Sequence, residues 1–244
     1  MIIGRPWSAV LMLCLGLTGA QAQVASVRGR IEVEGAVKAK SRSLPSAVVW
    51  LTPVPGTING PLPETPAPAA GLRLLQKNKS FEPHLLVVPA GSVVEFPNHD
   101  PFFHNVFSLF EGKRFDLGLY EAGTSRMVHF DRQGISYIFC NIHPEMSAIV
   151  ITLSTPFYSV PNRDGQLDIP NVPYGRYMLH VWSEGMRPES REPEGREITI
   201  GESSTSLGVI RVPAVNQQSL AHKNKYGRDY DTPTPDNPVY HQQP

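Results

Sequence analysis

The sequence predicts an all-β protein, and three observations carry that expectation. Proline supplies 24 of the 244 residues, roughly twice the usual share of about 5%. A residue without an amide hydrogen is excluded from helix interiors. Short apolar alternations recur along the chain between Gly, Pro and Asn turn signals, and no long amphipathic helical run interrupts them. With 41% apolar and 18% charged residues, the chain is too apolar for a disordered acidic or basic polymer. Its 22 basic residues balance 22 acidic ones, which gives no electrostatic reason to expect nucleic acid as a partner.

Residues 1–22 read as a signal for export. Arg5 precedes an apolar stretch from Ala9 to Leu17, and Ala20-Gln21-Ala22 supplies an A-x-A cleavage site. The apolar core falls well short of the roughly 20 residues of a membrane-spanning helix. Bulky Leu13 before Cys14 argues against a lipid anchor. Cleavage near Ala22 and the lack of a later membrane span lead us to expect a soluble periplasmic or secreted protein. It also leaves Cys140 as the only cysteine, so no internal disulfide is available to an exported chain.

The remaining elements follow in order. Val27, Gly29, Ile31 and Val33, then Ala47, Val49 and Leu51, alternate as two strands around a turn at Leu44-Pro45-Ser46, within a unit spanning 24–54. Residues 55–71 form a proline-rich linker. From 72 to 153 the text is dense in β-branched and aromatic residues, with strands expected at 85–88, 93–96, 127–130, 135–140 and 148–153. Turns at 89–91, 121–123 and 132–134 punctuate them, a spacing typical of a sandwich or small barrel. Residues 156–212 form a third block, in which Tyr177, Leu179 and Val181 alternate after turns at 162–165 and 173–175. The apolar content then collapses, and 213–244 reads as a disordered tail.

Cys140 could be an inert core thiol, a reactive thiol or a metal thiolate, and its neighbours favour the last. Cys140-Asn141-Ile142-His143-Pro144-Glu145-Met146 brings a thiol, an imidazole and a thioether within seven residues, and His104 lies upstream. Two imidazoles, a thiolate and a weak axial thioether make the trigonal donor set of copper electron-transfer sites, because soft sulfur favours Cu(I) and imidazole suits both oxidation states.

The same residues resemble the cupredoxins, in their plastocyanin and amicyanin branch, over about residues 76–153. The resemblance runs from F-E-P-H-L-L-V-V-P-A-G-S-V-V-E-F-P-N through H-N-V to the short C-N-I-H-P-E-M loop. It implies a Greek-key β-sandwich in which His104, Cys140, His143 and Met146 bind one type 1 copper. It further implies that Asn105, in the shell behind the ligands, ties the two ligand loops together and lends hydrogen bonds near the sulfur. His143, on the surface loop, would be the electron port. The stretch N-H-D-P-F-F-H-N-V-F-S is also similar to cupredoxin-like proteins named for methylamine utilisation. Asn141-Ile142 stands where Thr-Pro is common in the branch, and Glu145 places a carboxylate beside the loop.

The flanks carry a second resemblance. V-R-G-R-I-E-V-E-G with S-A-V-V-W-L, and N-R-D-G-Q-L-D-I-P-N-V-P-Y-G-R-Y-M-L-H-V-W, are similar to the two halves of a carboxypeptidase-regulatory, transthyretin-like sandwich. Either the cupredoxin is inserted into that sandwich, or the units follow in tandem with the first strands in the cupredoxin sheet.

Together these features imply an exported single-electron carrier, not an enzyme. Its partners would be periplasmic redox proteins, a dehydrogenase or a c-type cytochrome, met through a transient interface. Two alternatives are a copper-delivery module and a non-redox assembly protein with a degenerate copper site. A cysteine hydrolase is disfavoured because Cys140 and His143 share one tight loop with no third group to orient them. A multicopper oxidase is disfavoured because no H-x-H or H-C-H run occurs. His84 and His99 read as solvated loop residues, His129 and His180 as strand residues, and His222 and His241 as tail. Phe102 and Phe103 fit an apolar rim or ordinary core, and Tyr226, Tyr230 and Tyr240 fall in the tail.

Overall fold

The computed structural model describes residues 23–34, 44–61, 67–109, 112–186, 195–215 and 222–230. The export signal and His241 lie outside these segments, as does Tyr240. Among the described residues the regular structure is entirely β, and no helix is long and apolar enough to cross a membrane. The strands are β1 (Val24–Val33), β2 (Ala47–Pro53), β3 (Leu72–Arg73), β4 (Leu75–Lys77), β5 (Ser80–Glu82) and β6 (Leu85–Pro89). β7 (Ser92–Pro97), β8 (His104–Ser108), β9 (Phe115–Tyr120), β10 (Ser125–Phe130), β11 (Gly134–Cys140) and β12 (Ser147–Leu153) follow. The last five are β13 (Tyr158–Ser159), β14 (Gln166–Pro173), β15 (Gly175–Ser183), β16 (Arg196–Ile200) and β17 (Ser206–Val212).

Apart from the short β4-β5 hairpin, these strands stack as four β layers enclosing three apolar cores. The first layer is β10-β7-β3 and the second is β6-β12-β11-β8-β9. Between them Val94, Phe96, Val106, Val128, Phe130, Ile138 and Val150 are buried together with Cys140 and Met146. The third layer is β13-β2-β15-β16 and the fourth is β14-β1-β17; Val27, Ile31, Val49, Leu51, Ile169, Tyr177 and Leu179 fill the space between them. Strands from both flanks therefore share these outer two sheets: β1 lies between β14 and β17, and β2 between β13 and β15.

The period of two explains how the middle layers join. On β12, Ala148 and Val150 face the first core, while Ile149, Ile151 and Leu153 face the other way. On β2, Val49 and Leu51 face the outer core, and Val48 and Trp50 meet the β12 residues together with Trp182. Sheets buried on both faces read as near-continuous apolar runs, as in Ala47-Val48-Val49-Trp50-Leu51 and Ala148-Ile149-Val150-Ile151. Polar contacts pin the joint. The Trp182 Nε1–H donates to the Tyr137 hydroxyl at 3.2 Å, and His84 pairs with Glu184 at 2.7 Å.

The half-buried pairing of His84 with Glu184 corrects its expectation as a solvated loop histidine. The proline-rich stretch also differs from a free linker where it is described. The Asn59 N–H donates to the Tyr174 carbonyl and the Val54 N–H to that of Arg176, both at 2.9 Å. A side chain at Gly175 would collide with Thr57 and Ile58, which lie on top of it.

The expectation of disorder from 213 onward is corrected for residues 222–230, which fold onto β11 and the loop after it. His222 stacks on Phe139 with ring centroids 4.0 Å apart, and the Tyr230 hydroxyl donates to the Cys140 carbonyl at 2.8 Å. Composition missed this because a few side chains docking on a finished surface leave no periodic pattern.

Candidate metal centre

Two strands and one turn build the site. Cys140 ends β11, directly opposite Val106 of the neighbouring β8, and His104 opens β8 two residues earlier. The chain leaves β11 through Asn141 to Met146 and returns as β12, forming a tight turn held from three sides. The Cys140 N–H donates to the Met146 carbonyl at 3.2 Å, the Met146 N–H to the His143 carbonyl at 3.1 Å, and the Asn141 N–H to the Asn105 carbonyl at 2.8 Å. The last bond ties the turn to the strand carrying His104.

The resulting geometry brings three predicted ligands together. His104 Nδ1 and His143 Nδ1 are 3.2 Å apart, and Cys140 Sγ is 3.6 Å from the first and 3.4 Å from the second. All three residues are buried, and theirs is the metal-compatible cluster found among the described His, Cys and acidic residues. Met146, the predicted axial ligand, is fully buried in the same core cluster as Cys140.

A residue that the sequence reading passed over orients one imidazole. Asp100, only 5% exposed, accepts from His104 Nε2 at 2.9 Å. The Asn78 and Lys79 N–H groups also donate to it, at 2.6 and 3.0 Å, and Asn98 Oδ1 receives its own N–H. A proton on His104 Nε2 leaves the Nδ1 lone pair aimed at Cys140. Carboxylate–histidine pairs of this kind fix the tautomer and raise ligand basicity at metal sites. Burial opposes ionisation of Asp100, but hydrogen bonds from Lys79, His104 and Asn78 outweigh it and hold its pKa below the usual carboxylate range.

Electrostatics favour neutral imidazoles. Burial first, then repulsion from His104 and Lys79, lowers the His143 pKa to about 4. Burial also lowers that of His104, despite Asp100. Burial raises the Cys140 thiol, and the backbone N–H groups of Asn105, Ile142 and His143, which favour its thiolate, offset this only in part. Neutral imidazole nitrogens and a sulfur cradled by N–H donors, packed within van der Waals range, are a cation-binding arrangement. Metal–nitrogen and metal–sulfur bonds of about 2.0–2.3 Å at open angles would span such separations, so the residues present fit a soft metal ion.

The surroundings add detail to two expectations. His143 is only 4% exposed, because Phe102 packs against it and against His104, each at 5.4 Å between ring centroids. The imidazole is therefore largely covered. The neighbouring Phe103 is 50% exposed instead. Asn105 does link the ligand segments, but through its backbone: its carbonyl accepts from Asn141 and its N–H supports the sulfur. Its side chain turns away to donate to Asp116 at 3.0 Å.

The other histidines stay outside the cluster. His99 is exposed, His129 contacts the Gly91 carbonyl, and His180 stacks on Trp50. None of these contacts was legible from local spacing.

No protein-family model matches the chain, and no curated protein does. Solved structures do. A purple cupredoxin from Nitrosopumilus maritimus is similar at 21% identity, over 34% of this chain and 99% of that one, with a TM-score of 0.31. The reduced Cu(I) form of an amicyanin mutant at pH 4 is similar at 18% identity, over 36% of this chain and 86% of that one, with a TM-score of 0.33. A copper-containing nitrite reductase from Thermus scotoductus is similar at 25% identity, over 42% of this chain and 25% of that one, with a TM-score of 0.33.

Proposed function

We propose that this chain is an exported cupredoxin holding one type 1 copper and carrying single electrons between periplasmic redox partners. The observation that carries the proposal is the buried triangle of His104 Nδ1, His143 Nδ1 and Cys140 Sγ, with Met146 buried in the same core. Bound copper would supply one-electron redox chemistry. The chain's own residues would supply the rest. Asp100 holds the His104 tautomer, the N–H groups around Cys140 stabilise thiolate charge, and Phe102 keeps water from the imidazoles. A site held by two sheets and a bonded turn resists rearrangement between oxidation states, which keeps the cost of electron transfer low.

Burial of both imidazoles favours this reading over copper delivery, because handing a metal to an acceptor needs a ligand that can be reached. The partners would be a dehydrogenase or a c-type cytochrome, met near Phe102 and Phe103. The outer sandwich, which we read as a transthyretin-like accessory module, would support the copper unit through the shared apolar joint.

The test is to load the purified chain with Cu(II) and record visible and EPR spectra beside those of Cys140→Ser. An intense thiolate-to-copper band with narrow copper hyperfine splitting, lost in the variant, is the expected result. A colourless protein with ordinary Cu(II) signals would overturn the proposal.

A further inference from the structure

We infer that residues 222–230 are a brace that fixes the thiolate-bearing turn from outside, with Tyr230 and Lys225 as its positioning residues. Three consecutive residues of the ligand segment are each gripped by a different tail residue. His222 lies flat on Phe139, the residue before the thiol, at 4.0 Å between centroids and 27° between planes. The Tyr230 hydroxyl donates to the carbonyl of Cys140 itself at 2.8 Å and stands 3.1 Å from His222 Nδ1. The Lys225 N–H donates to Asn141 Oδ1 at 2.9 Å.

The grip extends to the other ligand strand. Lys225 Nζ pairs with Asp116 Oδ2 at 2.7 Å, and Asp116 Oδ1 accepts from the side chain of Asn105, the neighbour of His104, at 3.0 Å. Each contact therefore falls on a ligand, on a residue adjacent to one, or on the carboxylate connecting them. A tail with no task at the site has no reason to select these positions.

The physical need is clear from the turn. Cys140 is the last residue of its strand, so β11 restrains its carbonyl less than those within the sheet. A hydrogen bond to that carbonyl and another to the next side chain remove the freedom left there. The brace acts on the metal-free chain and holds whichever metal the site takes.

The test is amide hydrogen exchange by NMR on the metal-free, full-length protein and on Tyr230→Phe and Lys225→Met. Each substitution removes a side-chain bonding group but keeps an apolar body in place: the hydroxyl on the Cys140 carbonyl in the first, and the ammonium on Asp116 in the second, which leaves the backbone bond to Asn141 intact. Breaking one net hydrogen bond should accelerate local opening about 2- to 10-fold. That acceleration is expected at the amides of Cys140, Asn141 and Met146, with Val150 in the β12 core unchanged. Unchanged exchange at all three amides in both variants would overturn the brace. Equal acceleration at Val150 would overturn it too, since the tail would then be a general stabiliser. The measurement needs no metal, so failure to load copper bears on the electron-carrier proposal alone.

Discussion

Asp100 offers the sharpest test of how the site is held. Its two carboxylate oxygens serve three donors: Oδ1 takes the Asn78 N–H, and Oδ2 takes both the Lys79 N–H and His104 Nε2. Asn78 and Lys79 are exposed, so water can replace the carboxylate there. His104 is fully buried, so in Asp100→Ala its Nε2–H loses its partner with no substitute. A buried donor left unpaired costs about 1–3 kcal/mol. Loss of the partner that orients a metal-bound imidazole costs about 10- to 100-fold in affinity, which is about 1.4–2.7 kcal/mol and agrees with the first figure. Asp100→Asn can keep its oxygen at the Oδ2 position, facing His104, and turn its NH₂ toward the exposed Asn78 side. It should therefore lose less than about tenfold. The assay is competition for Cu(I) against a coloured chelator, with urea unfolding of the metal-free proteins run in parallel. Affinity for Asp100→Ala within twofold of the parent would refute the reasoning. Equal losses in both variants would show that charge, not imidazole orientation, is what Asp100 supplies.

Two further outcomes follow from the same packing. Phe102→Ala uncovers His104 and His143, so added azide should perturb the copper spectrum of the variant but not of the parent. Its potential should fall as water stabilises Cu(II); a spectrum indifferent to azide would mean that the ring is not the barrier. His84 and Glu184 supply the pH dependence of the joint between the sandwiches. The hydrogen bond with Glu184 raises the His84 pKa above 6.5, and the bond with His84 lowers that of Glu184 below 4.5. The His84 contribution is therefore complete below pH 6.5 and is lost as pH rises through its folded pKa. That of Glu184 is complete above pH 4.5 and is lost on acidification. Partial exposure of the imidazole limits the pair to about 0.2–1 kcal/mol. The thermal midpoint should fall by about 1–3 °C between pH 6 and pH 8 relative to His84→Gln, and parallel curves would refute the assignment.

The nearness of Cys140 and His143 was legible because C-x2-H is local chemistry: a hairpin turn that short presents its side chains together. His104 was legible from its His-Asn-Val context, and the core strands from their alternation. Asp100 was not, although it stands four residues before His104, because only the folded loop around Asn98 turns that spacing into a contact. Burial of His143 was equally hidden, since it depends on where Phe102 lands after the turn at Pro101. Strands β8 and β9 escaped notice because His104, Asn105 and Ser108 are buried despite being polar, which erases the period-two signal. The tail escaped for the converse reason: residues 222–230 contribute isolated contacts and no apolar face.

The interleaving of β1 and β2 with β14–β17 sets an order of assembly. β1 and β2 are made before residues 72–153, yet the strands they pair with, β13, β14, β15 and β17, all come after that sandwich. Nascent β2 carries an apolar face on each side, Val48 and Trp50 on one and Val49 and Leu51 on the other, and has no neighbour to bond its edges. The early strands meet their partners only once the C-terminal third has been made, while residues 72–153 can close on themselves beforehand. The metal pocket would then be complete before the outer layers exist. The early strands would be the segment most in need of a chaperone, because unpaired apolar strand edges recruit other chains.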